Sequence, residues 1–96
     1  MAETIDELTM AYEEDGTLLV KELEKHVLTK GAWSTVMYQY QDLDKKTGEF
    51  GVIKFRVVRY RKQNGRYTAQ SKFNISSIDQ ATKIVDQLAS WLKDLK

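Results

Sequence analysis

The chain has 96 residues, 15 Lys and Arg against 14 Asp and Glu, and a formal net charge of +1. That length holds one small hydrophobic core, and no apolar run approaches the eighteen or so residues that span a membrane as a helix. The absence of cysteine removes disulfides, thiolate metal ligands and thiol nucleophiles together. The opening Met-Ala-Glu-Thr-Ile-Asp-Glu is acidic and lacks an apolar stretch, so it reads as neither signal nor transit peptide. A cytoplasmic protein without a membrane partner is expected, nucleoid-associated in a bacterium.

Residues 1–16 carry six acids (Glu3, Asp6, Glu7, Glu13, Glu14 and Asp15) and no base, so all 15 bases and the other eight acids fall in 17–96. Ile5, Leu8 and Tyr12 have near-helical spacing, but Glu13-Glu14-Asp15-Gly16 ends the pattern. A frayed helix or disordered acidic arm is expected, followed by one domain over 17–96. The arm's charge makes it a candidate competitor for any anion-binding surface on the basic body.

Residues 18–30 fit two periods. Leu19, Leu23 and Val27 match a helix, whereas Leu23 with Val27 and Val20 with Leu28 match the two faces of a strand. Residues 32–43 are rich in strand formers, with Val36, Tyr38 and Tyr40 on one face and Trp33, Thr35 and Met37 on the other. Asp44-Lys45-Lys46-Thr47-Gly48 is a turn. Residues 50–62 read as the longest strand, with Ile53, Phe55 and Val57 opposing Lys54, Arg56, Val58, Tyr60 and Lys62. Asn64-Gly65 then signals a tight hairpin. Residues 67–75 alternate Tyr67, Ala69, Ser71, Phe73 and Ile75 against Thr68, Gln70, Lys72 and Asn74.

The last segment is a helix. Ser77 and Gln80 form a capping box, Asp79 and Lys93 suit the helix dipole, and Ile78, Ala81, Ile84, Val85, Leu88, Leu92 and Leu95 make an apolar stripe. Some eighteen residues give roughly 27 Å, enough to cross four strands. The expected fold is α+β: a four-stranded antiparallel curved sheet followed by one long C-terminal helix (ββββα), with the helix on one face and the other face open.

Segment 45–72 holds nine bases (Lys45, Lys46, Lys54, Arg56, Arg59, Arg61, Lys62, Arg66 and Lys72) against Glu49 alone. Four arginines and a lysine between Arg56 and Arg66 repel one another unless an anion arrives. Cations interleaved with aromatic rings on a sheet suit single-stranded nucleic acid, whose phosphates follow the charges while its unpaired bases stack. The nine bases and Tyr60 are the expected nucleic-acid-binding residues, with Trp33, Tyr38 and Tyr40 as base-stacking rings. The helix, with Asp79, Asp86 and Asp94 against Lys83, Lys93 and Lys96, does not suit the major groove of a duplex. His26 is the sole histidine, Asp42 and Asp44 sit at a strand end, and neither a phosphate-binding loop, a paired metal-ligand motif nor a nucleophile motif is present. A non-enzyme without cofactor, metal or small-molecule substrate is expected.

The block from Lys54 to Leu95 resembles the single-stranded-DNA-binding domain of the transcriptional coactivator positive cofactor four. The likeness lies in the basic strand Ile53-Lys-Phe-Arg-Val-Val-Arg-Tyr60, the Gly65 turn, the stretch Ser71-Lys72-Phe73-Asn74-Ile75-Ser76 and the capped amphipathic helix. It extends back towards Leu23 through the order and spacing of elements, and Whirly and Pur-alpha proteins have similar architecture. The resemblance implies a homodimer with packed helices and a grooved sheet that binds single strands. It places Tyr60 and Arg61 where that family has an aromatic base-stacker, with Arg61 departing from the aromatic and offering a guanidinium plane instead. It places Lys45 and Lys46 in a basic turn. Single-stranded nucleic acid, DNA ahead of RNA, and a second copy of the chain are therefore the expected partners, in a transcription or DNA-metabolism accessory role. Two alternatives stand beside it: a double-stranded-RNA binder, if 18–30 is helical, and an interaction module whose basic sheet takes an acidic protein.

Overall fold

The computed structural model describes residues 4–95, so Glu3 and Lys96 lie outside the described residues. A 3-10 turn (Ile5–Glu7) precedes β1 (Tyr12–Glu14), β2 (Thr17–Thr29), β3 (Trp33–Asp42), β4 (Lys54–Gln63), β5 (Arg66–Ile75) and α1 (Ile78–Leu95). The strands form one antiparallel sheet in sequence order, curled as a half-barrel. The α+β class and the antiparallel sheet stand as expected, but there are five strands rather than four.

The extra strand comes from the acidic arm. Asp15 and Gly16 both have positive φ, 51° and 81°, between the paired residues Glu14 and Thr17. That is the geometry of a two-residue hairpin, in which aspartate and glycine tolerate the left-handed region. Asn64 and Gly65 do the same, with φ of 53° and 77°, between Gln63 and Arg66. The frayed or disordered arm is thus corrected over residues 4–16.

Residues 18–29 are strand throughout, with Lys30 just past its end, and β2, at 13 residues, is longer than the 10-residue β4 that was expected to be the longest. Leu23 is the reason for the mixed periodicity. It is a bulge: Glu22 pairs with Tyr40 and Glu24 with Gln39, leaving Leu23 unpaired between them. One extra residue reverses the alternation beyond it. Glu22 and Lys25, three apart, consequently share a face. A bulge at Gln70 does the same in β5, where Ser71 pairs with Arg59 and Ala69 with Tyr60. The unbroken alternation expected for 67–75 is therefore corrected: Tyr67 and Ala69 lie on the face of Lys72 and Asn74.

The inner face of the sheet carries the core. Val36, Tyr38, Val58, Tyr60 and Tyr67 are buried there together with Leu8, and Ile5, Met10 and Val27 pack around them. The arm is tied down by the two residues that the Leu23 bulge brings together. Lys25 Nζ donates to the carbonyls of Ile5 (2.5 Å) and Leu8 (2.8 Å), and the Glu22 carboxylate accepts from Thr9 Oγ1 (2.9 Å) and Met10 N (3.0 Å).

The helix does not lie across the sheet. The arm already occupies the inner face, and α1 leaves β5 after two residues, approaches mainly that edge strand, and has no buried residue. Its cap forms as expected: Gln80 N donates to Ser77 Oγ at 3.0 Å. The Gln80 side chain reaches back to Ser76 N, one residue before the cap. The apolar stripe is exposed at Ile78, Val85, Leu88, Trp91, Leu92 and Leu95.

At the centre of the core the Tyr38 and Tyr60 hydroxyls bond to each other at 2.8 Å, with Tyr38 only 1 % exposed. Burial pushes Tyr38 far above the ordinary phenol value, and its bond to Tyr60 pushes it further. Burial also raises Tyr60, against the lowering effects of the Tyr38 bond and of Arg56 nearby. Tyr38→Phe or Tyr60→Phe leaves one buried hydroxyl unpaired and is expected to cost about 1–3 kcal/mol in urea denaturation. The double variant costs less than the sum of the two; strict additivity would show that the hydroxyls do not interact. The unfolded chain loses these protons near pH 10 while the folded chain retains them. Stability therefore falls as pH rises above about 10, and the double Phe variant shows a shallower fall.

Candidate nucleic-acid interface

Strand alternation divides the expected site residues between the two faces of the sheet. Lys54, Arg56, Tyr60, Lys62 and Lys72 belong to the inner face with Tyr38 and Tyr40, whereas Arg59 and Arg61 belong to the outer face with Trp33. The remaining three lie at opposite ends: Lys45 and Lys46 in the turn between β3 and β4, Arg66 where β5 starts. A strand of ten residues separates these ends by about 30 Å. The single basic surface expected from the sequence is therefore two surfaces, back to back.

On the inner face the ring residues are core. Tyr38, Tyr40 and Tyr60 are all buried. Tyr38 and Tyr40, expected as base-stacking rings, are closed off from solvent in this fold. Lys54 pairs with Asp42 at 3.0 Å. Arg56 lies over the Tyr40 ring at 5.2 Å, its Nε donates to Asn74 Oδ1, and its Nη1 meets the Met10 sulfur at 3.4 Å. Lys62 lies over the Tyr67 ring at 5.4 Å.

The outer face presents a different group. Trp33 is directly opposite Arg61 and diagonal to Arg59 across the β3–β4 pair. The indole has a guanidinium at 4.4 Å from Arg59 and another at 5.3 Å from Arg61, and the residue is 39 % exposed. Register also brings Thr35 and Ser71 beside Arg59 and Thr68 beside Arg61. Among the described residues the ion pairs are Lys54–Asp42 and Lys83–Asp79, so neither outer arginine has an acid partner. The group combines a flat ring, two planar cations and neighbouring hydroxyls on rigid central strands. It can stack an unpaired base and neutralise a phosphate at once.

Three contributors were not legible as site residues: Met10, Tyr12 and Ala69, which line the inner-face groove. The Asp15-Gly16 dipeptide was the available signal for the first two, since a hairpin there brings the arm back against the sheet. Among the described residues no group of three or more His, Cys, Asp or Glu is placed to hold a metal ion. No helix among the described residues is long and apolar enough to cross a membrane. Comparison of the chain with protein-family models, curated proteins and solved structures finds no match.

Proposed function

We propose that the chain is a non-enzymatic single-stranded nucleic-acid-binding protein with little sequence preference, DNA ahead of RNA, that works as a homodimer joined through α1. A transcription or DNA-metabolism accessory role fits such a protein. The observation that carries the reading is the exposed Trp33 ring with the guanidiniums of Arg59 and Arg61 over it and no neutralising acid among the described residues. Half-exposed indole has a cost in water, and two adjacent guanidiniums repel each other. A single strand relieves both, through its bases and its phosphates. A duplex hides its bases, and α1 has little to offer a major groove: Lys83 is paired with Asp79, and Asp86 and Asp94 add negative charge. An acidic protein segment would satisfy the arginines but has less use for the ring.

The dimer reading rests on the helix. Ile78, Val85 and Leu92 recur every seven residues, as do Ala81, Leu88 and Leu95, in the a and d pattern of a coiled-coil seam. Five of these six are exposed in the single chain, with Trp91 beside them. A stripe of that length on a lone helix is more contiguous apolar surface than a monomer ordinarily leaves in water.

Fluorescence anisotropy with a labelled dT oligonucleotide of about twenty residues tests the first part. Micromolar or tighter binding, weaker for the duplex and weakened by salt, is expected. Arg59→Ala with Arg61→Ala should lower affinity and reduce the slope of log K against log salt by about 1.4, for two phosphate contacts on a single strand. No binding at low salt would overturn the reading, and an acidic polypeptide would be the next probe. Light scattering tests the second part. The chain should run at twice its 11.2 kDa, and Leu88→Glu should return it to one protomer. An unsubstituted chain already at one protomer's mass removes the dimer.

A further inference from the structure

The inner face holds a groove of about 370 Å³ between the arm and the sheet. Its volume is that of a small-ligand site, roughly 300–1,000 Å³. Arg56 and Lys72 both line it, on adjacent strands. Arg56 pairs with Asn74 and Lys72 with Val58, so the two cations are diagonal neighbours, about 7–8 Å apart at the backbone. Their long side chains can meet over one anion.

Neither cation has a carboxylate. Asp42, the one acid among the groove's lining residues, is engaged by Lys54, and Glu22 is occupied by Thr9 and the Met10 amide. Arg56 is half-buried and spends Nε on a neutral amide and Nη1 on a thioether, a weak acceptor. A guanidinium has five N–H donors, so most of its capacity remains open in a residue that lines the groove. The Lys72 side chain makes no hydrogen bond or ion pair among the described residues. A partly desolvated arginine beside an unpaired lysine, with the groove's lining acid already engaged by Lys54, is an arrangement that a dianion completes. Tyr12, 53 % exposed, forms part of the same wall and supplies a flat ring.

We propose that this groove binds the phosphate monoester of a nucleotide, with Arg56 and Lys72 holding the phosphate oxygens and Tyr12 stacking the base. A monoester carries nearly two charges at neutral pH, matching the two cations, where an internal phosphodiester carries one. The monoester has two sources, a free mononucleotide or the terminal phosphate of a strand. This site lies on the opposite side of the sheet from Trp33, Arg59 and Arg61 and is independent of binding there.

Amide chemical shifts of the full chain provide the test, with thymidine 5′-monophosphate, 5′-phosphorylated dT₁₀ and 5′-hydroxyl dT₁₀ as probes. Both phosphorylated probes, or one of them, should move the amides of Arg56, Val58, Ala69 and Lys72, while the 5′-hydroxyl strand leaves them in place. Tighter binding of the strand assigns the source to strand ends, and tighter binding of the mononucleotide assigns it to free nucleotide. Lys72→Gln, at an exposed position, should weaken the response about tenfold, as loss of one charge-assisted contact does. Arg56→Gln should act likewise, each with the rest of the spectrum unchanged. Groove amides that move equally with the 5′-hydroxyl strand, or with no phosphorylated probe, overturn the assignment. Movement of Trp33, Arg59 and Arg61 amides by the 5′-hydroxyl strand reports the outer surface separately, so the two proposals fail independently.

Discussion

The molecule is organised around a sheet whose inner face is closed by its own N-terminal arm. Leu8 sits among Val36, Tyr38, Val58, Tyr60 and Tyr67, and the arm's backbone is held by Lys25 and Glu22. Those two side chains share a face because of the Leu23 bulge. Without that extra residue one of them would point to the far side of the sheet, and the arm would lose either the donor or the acceptor that holds it. The Tyr38–Tyr60 hydroxyl pair then satisfies the polar atoms left in the middle of an otherwise apolar layer. No buried side-chain polar atom among the described residues lacks a partner.

Closure by the arm determines what is left for binding. It takes the tyrosines out of solvent, leaves Arg56 and Lys72 along a narrow groove at the arm's edge, and turns Trp33, Arg59 and Arg61 into the group that faces outward. The period of two in β4 is sufficient for this division: Arg56 and Arg59 are three apart and so fall on opposite faces, as do Arg56 and Arg61. Counting charge along a strand says how many cations there are. Which of them can act on one ligand depends on parity and on bulges, and the Gln70 bulge is what puts Ala69 and Lys72 in the same wall.

Much of the fold was legible in local chemistry. Asn64-Gly65 marked its hairpin, alternation put Val36, Tyr38 and Tyr40 together on one face of β3 without saying that it is the buried one, and Ser77 marked the start of α1. The α+β class followed from these. The misreadings have physical causes. The bulges at Leu23 and Gln70 each break a period of two at one residue, so 18–30 mimicked a helix and 67–75 were assigned to the wrong faces. Asp15-Gly16 carried the same hairpin signal as Asn64-Gly65, but the acids around it suggested a solvated tail. Of the site, the residue types were readable and their grouping was not, since grouping depends on pairing register between strands distant in sequence. The position of α1 was out of reach for a related reason: an apolar stripe says that something covers it, and nothing within a helix specifies whether that is the chain's own sheet.

The stripe bears on stability as well as assembly. A domain of this size has few large apolar side chains to bury, and this one leaves Ile78, Val85, Leu88, Trp91, Leu92 and Leu95 of α1 outside its core. An isolated helix of 18 residues is marginal in water, where most helical stability comes from packing an apolar face. The sheet and arm have a core of their own, but α1 gains little from them, because it approaches chiefly β5 at the sheet edge. If a second copy covers the stripe, folding of α1 and association become one equilibrium, and the apparent stability of the helix rises with protein concentration while that of the tyrosine core does not. The two outer arginine–tryptophan groups of such a dimer would then be tied together by the same helices. One strand could engage both with the gain in avidity that linked sites provide, provided the dimer geometry lets it reach across.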